Sequence, residues 1–374
     1  MIYVVAPGNT LYSIAALYDT TPERLAFDNQ MSPEQPLVVG QALYVPENAD
    51  EGQKADKRFF GYAYPYIRDE VLRECLLYMQ ALYIFSYGFT PEGDLIPIAD
   101  TRLIRTAQEF GVEPVLVLTP FSESGSFSNQ LVNVLLEDVA VQERLIGQLL
   151  QVMETRQYVG VDVDFEYVLA TDRDAYVAFV DRLTTQMNAN GYYVTVALPP
   201  KTSDDQPGLL YEGVDYAGLG AVANQVLLMT YEWGYTYSTP QAVAPIPSVR
   251  RVLDYGVSRI PANKIYMGMP NYGYDWPLPH EPGVTRATSI GNIQAVEIAA
   301  ANGAVIEYDE VAQSPHFHYQ AEGVAHEVWF EDVRSMQVRF DTIVEYGFVG
   351  GGYWNLMRPF RPNWLLQKNY QQST

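Results

Sequence analysis

Residues 160–167 read Gly-Val-Asp-Val-Asp-Phe-Glu-Tyr and place three carboxylates, Asp162, Asp164 and Glu166, at strict two-residue spacing. Side chains alternate across a β-strand, so the three acids share one face while Val161, Val163 and Phe165 share the other. On a half-solvated antiparallel sheet this is the ordinary apolar-in, polar-out pattern. On a strand covered on both faces, the acids leave water together and repel one another, so at least one proton is retained among them. A carboxylic acid kept protonated near neutral pH can donate to a glycosidic oxygen, which is general acid chemistry. Which reading holds depends on the elements around the strand.

Eight strand-like apolar runs alternate with helical patterns after residue 57. They begin at Arg58, Ala81, Pro114, Gly160, Tyr192, Gln225, Lys264 and Gly347. Between the fourth and fifth runs, Tyr176, Phe179, Val180, Leu183 and Met187 form a helical stripe, with Thr171 as the expected N-cap and Gly191 as the end. Eight such units over roughly 300 residues predict an α/β fold, a (β/α)8 TIM barrel. A doubly wound open sheet is the alternative, but it needs no eighth strand and no Gly-rich dinucleotide turn is present. Residues 286–331 interrupt the alternation with one helical run and a hairpin turning at Glu322-Gly323, which predicts a small α+β insertion between strands seven and eight. In a barrel the acidic run is the fourth strand, and its acids climb inward toward the C-terminal rim, where barrel active sites lie.

The composition narrows the partners. Net charge is −22 with no basic run, so neither nucleic acid nor an anionic membrane surface is an expected partner. Aromatic residues make up 13% of the chain, which suits a site for sugar rings. The single cysteine, Cys75, rules out an internal disulfide and, among apolar neighbours, reads as a buried structural thiol. The histidines (280, 316, 318 and 326) show no metal-ligand spacing, so no metal is expected. The opening MIYVVAPGNT has neither a basic start nor a long apolar run, so no secretory signal peptide is expected. No run is long enough and apolar enough for a membrane span. Nothing specifies an oligomeric state.

Residues 47–57, ENADEGQKADK, are charged and lack an apolar period. They divide the chain into a small unit (1–47), a linker (48–57) and the barrel (58–374). The small unit reads as strand, helix, helix, strand, with Thr21 capping the second helix and Pro22 at its first position.

The residues now resemble known families. Val159-Gly160-Val161-Asp162-Val163-Asp164-Phe165-Glu166 resembles the fourth-strand signature D-G-x-D-x-D-x-E of glycoside hydrolase family 18, with Val159 in place of the first Asp. MTYEW resembles that family's M-x-Y-D motif, keeping Met229 and Tyr231 and substituting Glu232 for Asp. Trp354, in GGYWNL, stands where the family has an aromatic floor. The resemblance covers about residues 58–365. The N-terminal unit resembles a LysM domain through Tyr3, Gly8, Thr10, Leu11, Asn29, Gly40 and Pro46, with Asn9 where Asp is usual and expected to keep a capping role. The pairing resembles bacterial spore cortex-lytic N-acetylglucosaminidases, including the segments LTPFSESGSFS and DEVAQSPHF.

The resemblance implies retaining, substrate-assisted hydrolysis without metal or organic cofactor. It implies Glu166 as the acid, Asp164 as partner of the substrate acetamido group, Asp162 sharing a proton with Asp164, and Tyr231 orienting the acetamido carbonyl. Trp354, Met229, Glu232, Asn271, Tyr272 and Asp275 are the expected substrate-binding set. The implied partner is peptidoglycan or another N-acetylglucosamine-containing glycan, and the implied place is the spore coat or cortex surface, with the cytoplasm as the alternative. A chitinase-type hydrolase and a non-catalytic lectin are the alternative functions.

Overall fold

Alternation along each apolar run decides the architecture, because every barrel strand must satisfy an aromatic interior and a coat of helices. The computed structural model describes residues 1–46, 55–121 and 127–371. Most of the linker, residues 122–126 of LTPFSESGSFS and the last three residues lie outside these ranges. The eight barrel strands are Arg58–Ala63, Ala81–Phe89, Glu113–Leu118, Gly160–Val163, Tyr193–Leu198, Gln225–Leu228, Ile265–Pro270 and Gly350–Trp354. Each pairs in parallel with its neighbours in chain order, and the eighth pairs back onto the first from Gly350↔Arg58 to Tyr353↔Gly61, closing the cylinder. The expected TIM barrel is therefore the fold.

Period two is kept on both sides of the wall. Val115 and Val117 join Phe60, Tyr62, Tyr83 and Tyr266 inside the barrel, while Leu116 and Leu118 face the helices. In the fourth strand Val161 and Val163 face the helices, as does Phe165 just beyond it. Phe165 packs against Phe89, Tyr176 and Phe179 with ring centroids 5.7, 5.7 and 5.9 Å away. Burial of such a ring contributes about 1.5–3 kcal/mol, so it anchors the segment that carries the acids. The following helix, Arg173–Ala189, does not use Thr171 as its cap. A 3-10 turn, Ala170–Asp172, leads into it, and the Asp172 carboxylate instead accepts from the Asn133 amide at 3.0 Å.

The insertion begins earlier than expected. Its five-stranded antiparallel sheet includes Gly273–Leu278, so the excursion starts at Gly273 rather than at residue 286. The sequence concealed this because GYDWPL continues the seventh apolar run across a change of sheet. The helix Asn292–Ala301 covers one face of that sheet, and the hairpin turns at Glu322-Gly323 as read.

In the N-terminal unit, Ile2–Val4 pairs antiparallel with Ala42–Tyr44, and helices Leu11–Leu17 and Pro22–Asp28 cross them. Thr10 caps the first helix and Thr21 the second. Asn9 is not a cap: its Oδ1 accepts from the Ala6 N–H at 2.7 Å and the Tyr3 hydroxyl at 2.8 Å, closing the loop before the helix.

This unit is fixed to the rest of the chain. The Ile306 N–H donates to Val39 O at 2.9 Å, and Val38 enters the apolar cluster of the insertion. The Arg361 guanidinium donates to Phe27 O at 2.8 Å and lies 4.0 Å from the Phe27 ring centroid. Gly40 makes the approach possible: its φ is +84°, and a Cβ there would fall 1.8 Å from Ile306 O. A Gly40→Ala substitution combines left-handed strain of about 1–3 kcal/mol with that backbone clash. The expected result is a loosened dock, read as faster amide exchange at Ile306, whose N–H donates to Val39 O, while the barrel strands stay protected. Unchanged exchange at Ile306 would show that the backbone can absorb the methyl group.

Candidate active site

The fourth strand ends at Val163, so its three acids occupy different depths. Asp162 lies on the strand and is fully buried; both its oxygens take hydroxyl donors, Tyr62 at 2.9 Å and Thr195 at 2.5 Å. Burial nevertheless pushes its carboxyl up to about 6. Each Asp162 oxygen thus has one protein donor, and the charge of Asp162 helps to raise its neighbour Asp164. Val159, in place of the usual Asp, packs half-buried against the aromatic interior. The hydrogen-bond network below the acids therefore runs through hydroxyl groups.

Asp164 sits just past the strand end, nearly buried, and its Oδ1 has no hydrogen-bond partner. Its carboxyl is raised well above the usual range, first by burial and then by the charges of Glu166 and Asp162. Glu166 stands at the rim and is raised to about 7, first by burial and then by the Glu232 carboxylate. The residues that follow the rim acids take the left-handed conformation, Tyr167 at φ +62° after Glu166 and Glu232 at φ +70° after Tyr231. Such conformations cost energy in non-glycine residues and turn the chain sharply at the mouth of the barrel.

Asp164, Glu166, Met229, Tyr231, Glu232 and Trp354 line one cleft of about 590 Å³. Trp354 meets Tyr62 and Phe85 edge-on at 5.5 and 5.0 Å, which sets its ring across the top of the aromatic interior. The Tyr272 hydroxyl donates to Glu232 Oε1, and the Tyr274 hydroxyl donates to the same oxygen at 3.1 Å. Burial raises Glu232, while these two donors oppose the shift.

Asn271 and Asp275, expected in the substrate-binding set, do not line the cleft. The Asn271 amide donates to Asn355 O at 2.9 Å and Arg358 O at 3.0 Å, bracing the loop after the eighth strand. Asp275 belongs to the insertion sheet, where it accepts from the Tyr319 hydroxyl at 2.6 Å and pairs with His326 at 2.8 Å. Tyr272 opens instead onto an adjoining hollow.

Several cleft residues went unread in the sequence. Tyr62 and Tyr64 continue the inward alternation begun at Phe60, so period two on the first strand could have found them. Tyr211 and Tyr235 come from loops, and Phe121 and Phe127 pair with each other through an isolated bridge; no periodicity marks any of them.

The comparisons agree with this geometry. The model of glycosyl hydrolases family 18 matches residues 106–358, and the LysM domain model matches residues 3–46. The chain is 38% identical over 419 residues to the cortical fragment-lytic enzyme of Bacillus subtilis (strain 168), spanning 98% of this chain and 96% of that protein. It is 37% identical over 423 residues to the cortical fragment-lytic enzyme of Bacillus anthracis, spanning 99% and 98%. The crystal structure of the Bacillus cereus spore cortex-lytic enzyme SleL superposes with a TM-score of 0.93 at 32% identity, covering 99% of this chain and 98% of that one. A closed parallel barrel with an acid-bearing fourth strand, matched by the family model over most of its length, places this chain in glycoside hydrolase family 18, with a LysM domain ahead of its barrel.

Proposed function

We propose that this chain hydrolyses N-acetylglucosaminyl linkages in spore-cortex peptidoglycan fragments, with retention and with the substrate's own N-acetyl group as nucleophile. One observation carries the reading. A rim carboxylic acid raised to about 7 shares a cleft with a deeper carboxyl that has an oxygen without a protein partner. In the proposed reaction Glu166 gives its proton to the leaving oxygen while the acetamido carbonyl oxygen attacks the anomeric carbon. The bond to the leaving group breaks, and a cyclic oxazolinium ion forms. The acetamido N–H donates to Asp164, whose ionised form balances the new positive charge. Tyr231, nearly buried with its hydroxyl group raised well above 10, stays protonated and donates to the acetamido oxygen. Water assisted by the Glu166 carboxylate then opens the ring. The LysM domain would hold N-acetylglucosamine-containing strands, and the proposed place of action is the spore surface or cortex.

Product analysis by mass spectrometry tests this. Wild type and Glu166→Gln are incubated with cortex muropeptide fragments and, separately, with chitin oligomers. New reducing-end N-acetylglucosamine from cortex fragments, absent with the variant, is the expected result. Cleavage of chitin alone would point to a chitinase, and binding without products from either would point to a lectin.

The pH dependence has a definite sign. Glu166 must be protonated to act, so kcat/KM, which reports the free enzyme, should fall as pH rises through about 7. Glu232→Gln removes the charge that helps keep the proton on Glu166, although burial, the larger cause, remains. The alkaline limb of the kcat/KM profile should therefore move to lower pH in Glu232→Gln. A limb that stays in place would remove Glu232 from any electrostatic role.

A further inference from the structure

Asn271 stands where the chain leaves the barrel, between the seventh strand, Ile265–Pro270, and the first strand of the insertion, Gly273–Leu278. From there it holds three main-chain carbonyls of one segment. Its backbone N–H donates to Trp354 O at 3.0 Å, and its side-chain amide donates to Asn355 O at 2.9 Å and Arg358 O at 3.0 Å. Both amide hydrogens are thereby used, which fixes the direction of Oδ1. That oxygen accepts from the Asn292 amide at 3.4 Å, and Asn292 Oδ1 in turn accepts from the Glu331 N–H at 2.9 Å. Asn271 and Asn292 are 1% and 2% exposed, so both amides are kept from bulk water.

The segment so held carries Trp354, the last residue of the eighth strand, whose ring lines the cleft. Tyr62, Tyr64 and Phe85 meet that ring edge-on at 5.5, 6.1 and 5.0 Å. Those contacts press on the side chain, whereas hydrogen bonds set the path of the main chain beneath it. The first strand supplies one, from the Leu356 N–H to Tyr62 O at 2.9 Å, and Asn271 supplies three. The Arg358 guanidinium adds three toward the insertion, to Ser289 Oγ at 3.1 Å, Ser289 O at 3.0 Å and Ile290 O.

We propose that Asn271 is a positioning residue for Trp354, and that the insertion, through Asn292, Ser289 and Ile290, holds this floor of the cleft in place. The proposal rests on the hydrolase reading above, in which Trp354 supports the sugar. It assigns the insertion a task at the cleft that needs no contact with substrate. If Asn271 loses its side-chain donors, two carbonyls are left facing an acceptor, a costly arrangement for buried groups. The segment relieves it by moving, and Trp354 moves with it. Asp164 and Glu166 follow the fourth strand and are not held by this segment, so they stay. A displaced platform supports ground state and transition state equally poorly, which raises KM more than it lowers kcat.

The test is a double-mutant cycle in kcat/KM on cortex fragments, beside crystal structures of the same variants of the full chain. Asn271→Asp keeps the shape and the acceptor but replaces the two N–H donors by an oxygen. It is expected to lower kcat/KM about tenfold, mostly through KM, within the roughly 10²-fold that a small misplacement can cost. In Trp354→Ala the same substitution should cost almost nothing more, because the group it positions is gone. The crystal structure of Asn271→Asp should show the Trp354 ring displaced, with the Glu166 and Asp164 carboxyls in place. Equal losses in both backgrounds, or a fall in kcat with KM unchanged, would overturn the proposal. So would a Trp354 ring that has not moved. Arg358→Gln frees the segment from Ser289 and Ile290 and serves if Asn271→Asp does not fold; the same cycle and the same displaced ring are expected. The hydrolase reading fails separately: without turnover by the wild type it falls, and the ring position alone decides whether Asn271 positions Trp354.

Discussion

Glu166→Gln is expected to lower turnover of cortex fragments by about 10²–10⁴-fold while changing the dissociation constant little. Glutamine keeps the volume and polarity of the rim side chain but holds no proton that can be given to a leaving oxygen. The loss should appear in kcat, with the Kd of an uncleaved fragment close to the parent value. Burial and the Glu232 charge keep the wild-type proton in place to about pH 7, and the amide has no equivalent state. Single-turnover kinetics beside calorimetry would measure both quantities. A variant within a few-fold of the wild-type rate would remove Glu166 from the reaction and leave the cleft without its acid.

Asp164→Asn is expected to cost on the order of 10²-fold in kcat, the scale of removing one preorganised electrostatic group. The free enzyme disfavours an ionised Asp164, because it is buried and faces two other carboxyls. A positive charge forming on the acetamido group reverses that balance, so the interaction is strongest in the transition state. Only such an interaction raises kcat. Asparagine can still accept a hydrogen bond but cannot balance the charge, so kcat and kcat/KM should fall together. A substrate whose N-acetyl group is replaced by hydroxyl should be cleaved poorly by wild type and lose little more in Asp164→Asn. If both substrates lose rate equally in the variant, Asp164 acts through the fold and the substrate-assisted route fails.

Much of this chain was legible in one dimension. The eight barrel strands, the inward acids and the outward Val161, Val163 and Phe165 follow from period-two alternation, which is a local property of extended backbone. The LysM unit was equally legible, since its helix starts lie in short motifs such as Thr21-Pro22. Motif spacing also brought Tyr231, Glu232 and Trp354 into the candidate site, because Trp354 ends a strand and the other two closely follow one whose direction is fixed by the barrel.

Other features depend on contacts far apart in sequence. That Asp162 takes both Tyr62 and Thr195 as donors depends on the first strand reaching it across the barrel interior and on the fifth pairing beside it. The same limit misplaced Asp275, because nothing local marks where the chain leaves the barrel sheet for the insertion sheet at Gly273. The docked LysM domain and the hold of Asn271 on the segment after Trp354 were invisible for a related reason: each is made by segments separated by tens to hundreds of residues. Sequence alone determined the type of each element and which face carries the chemistry, since those rest on the backbone's own periodicity. The tertiary structure alone decided the depth of each acid, its hydrogen-bond partners and the neighbours that hold its proton, because burial and Coulomb interactions depend on distance in space.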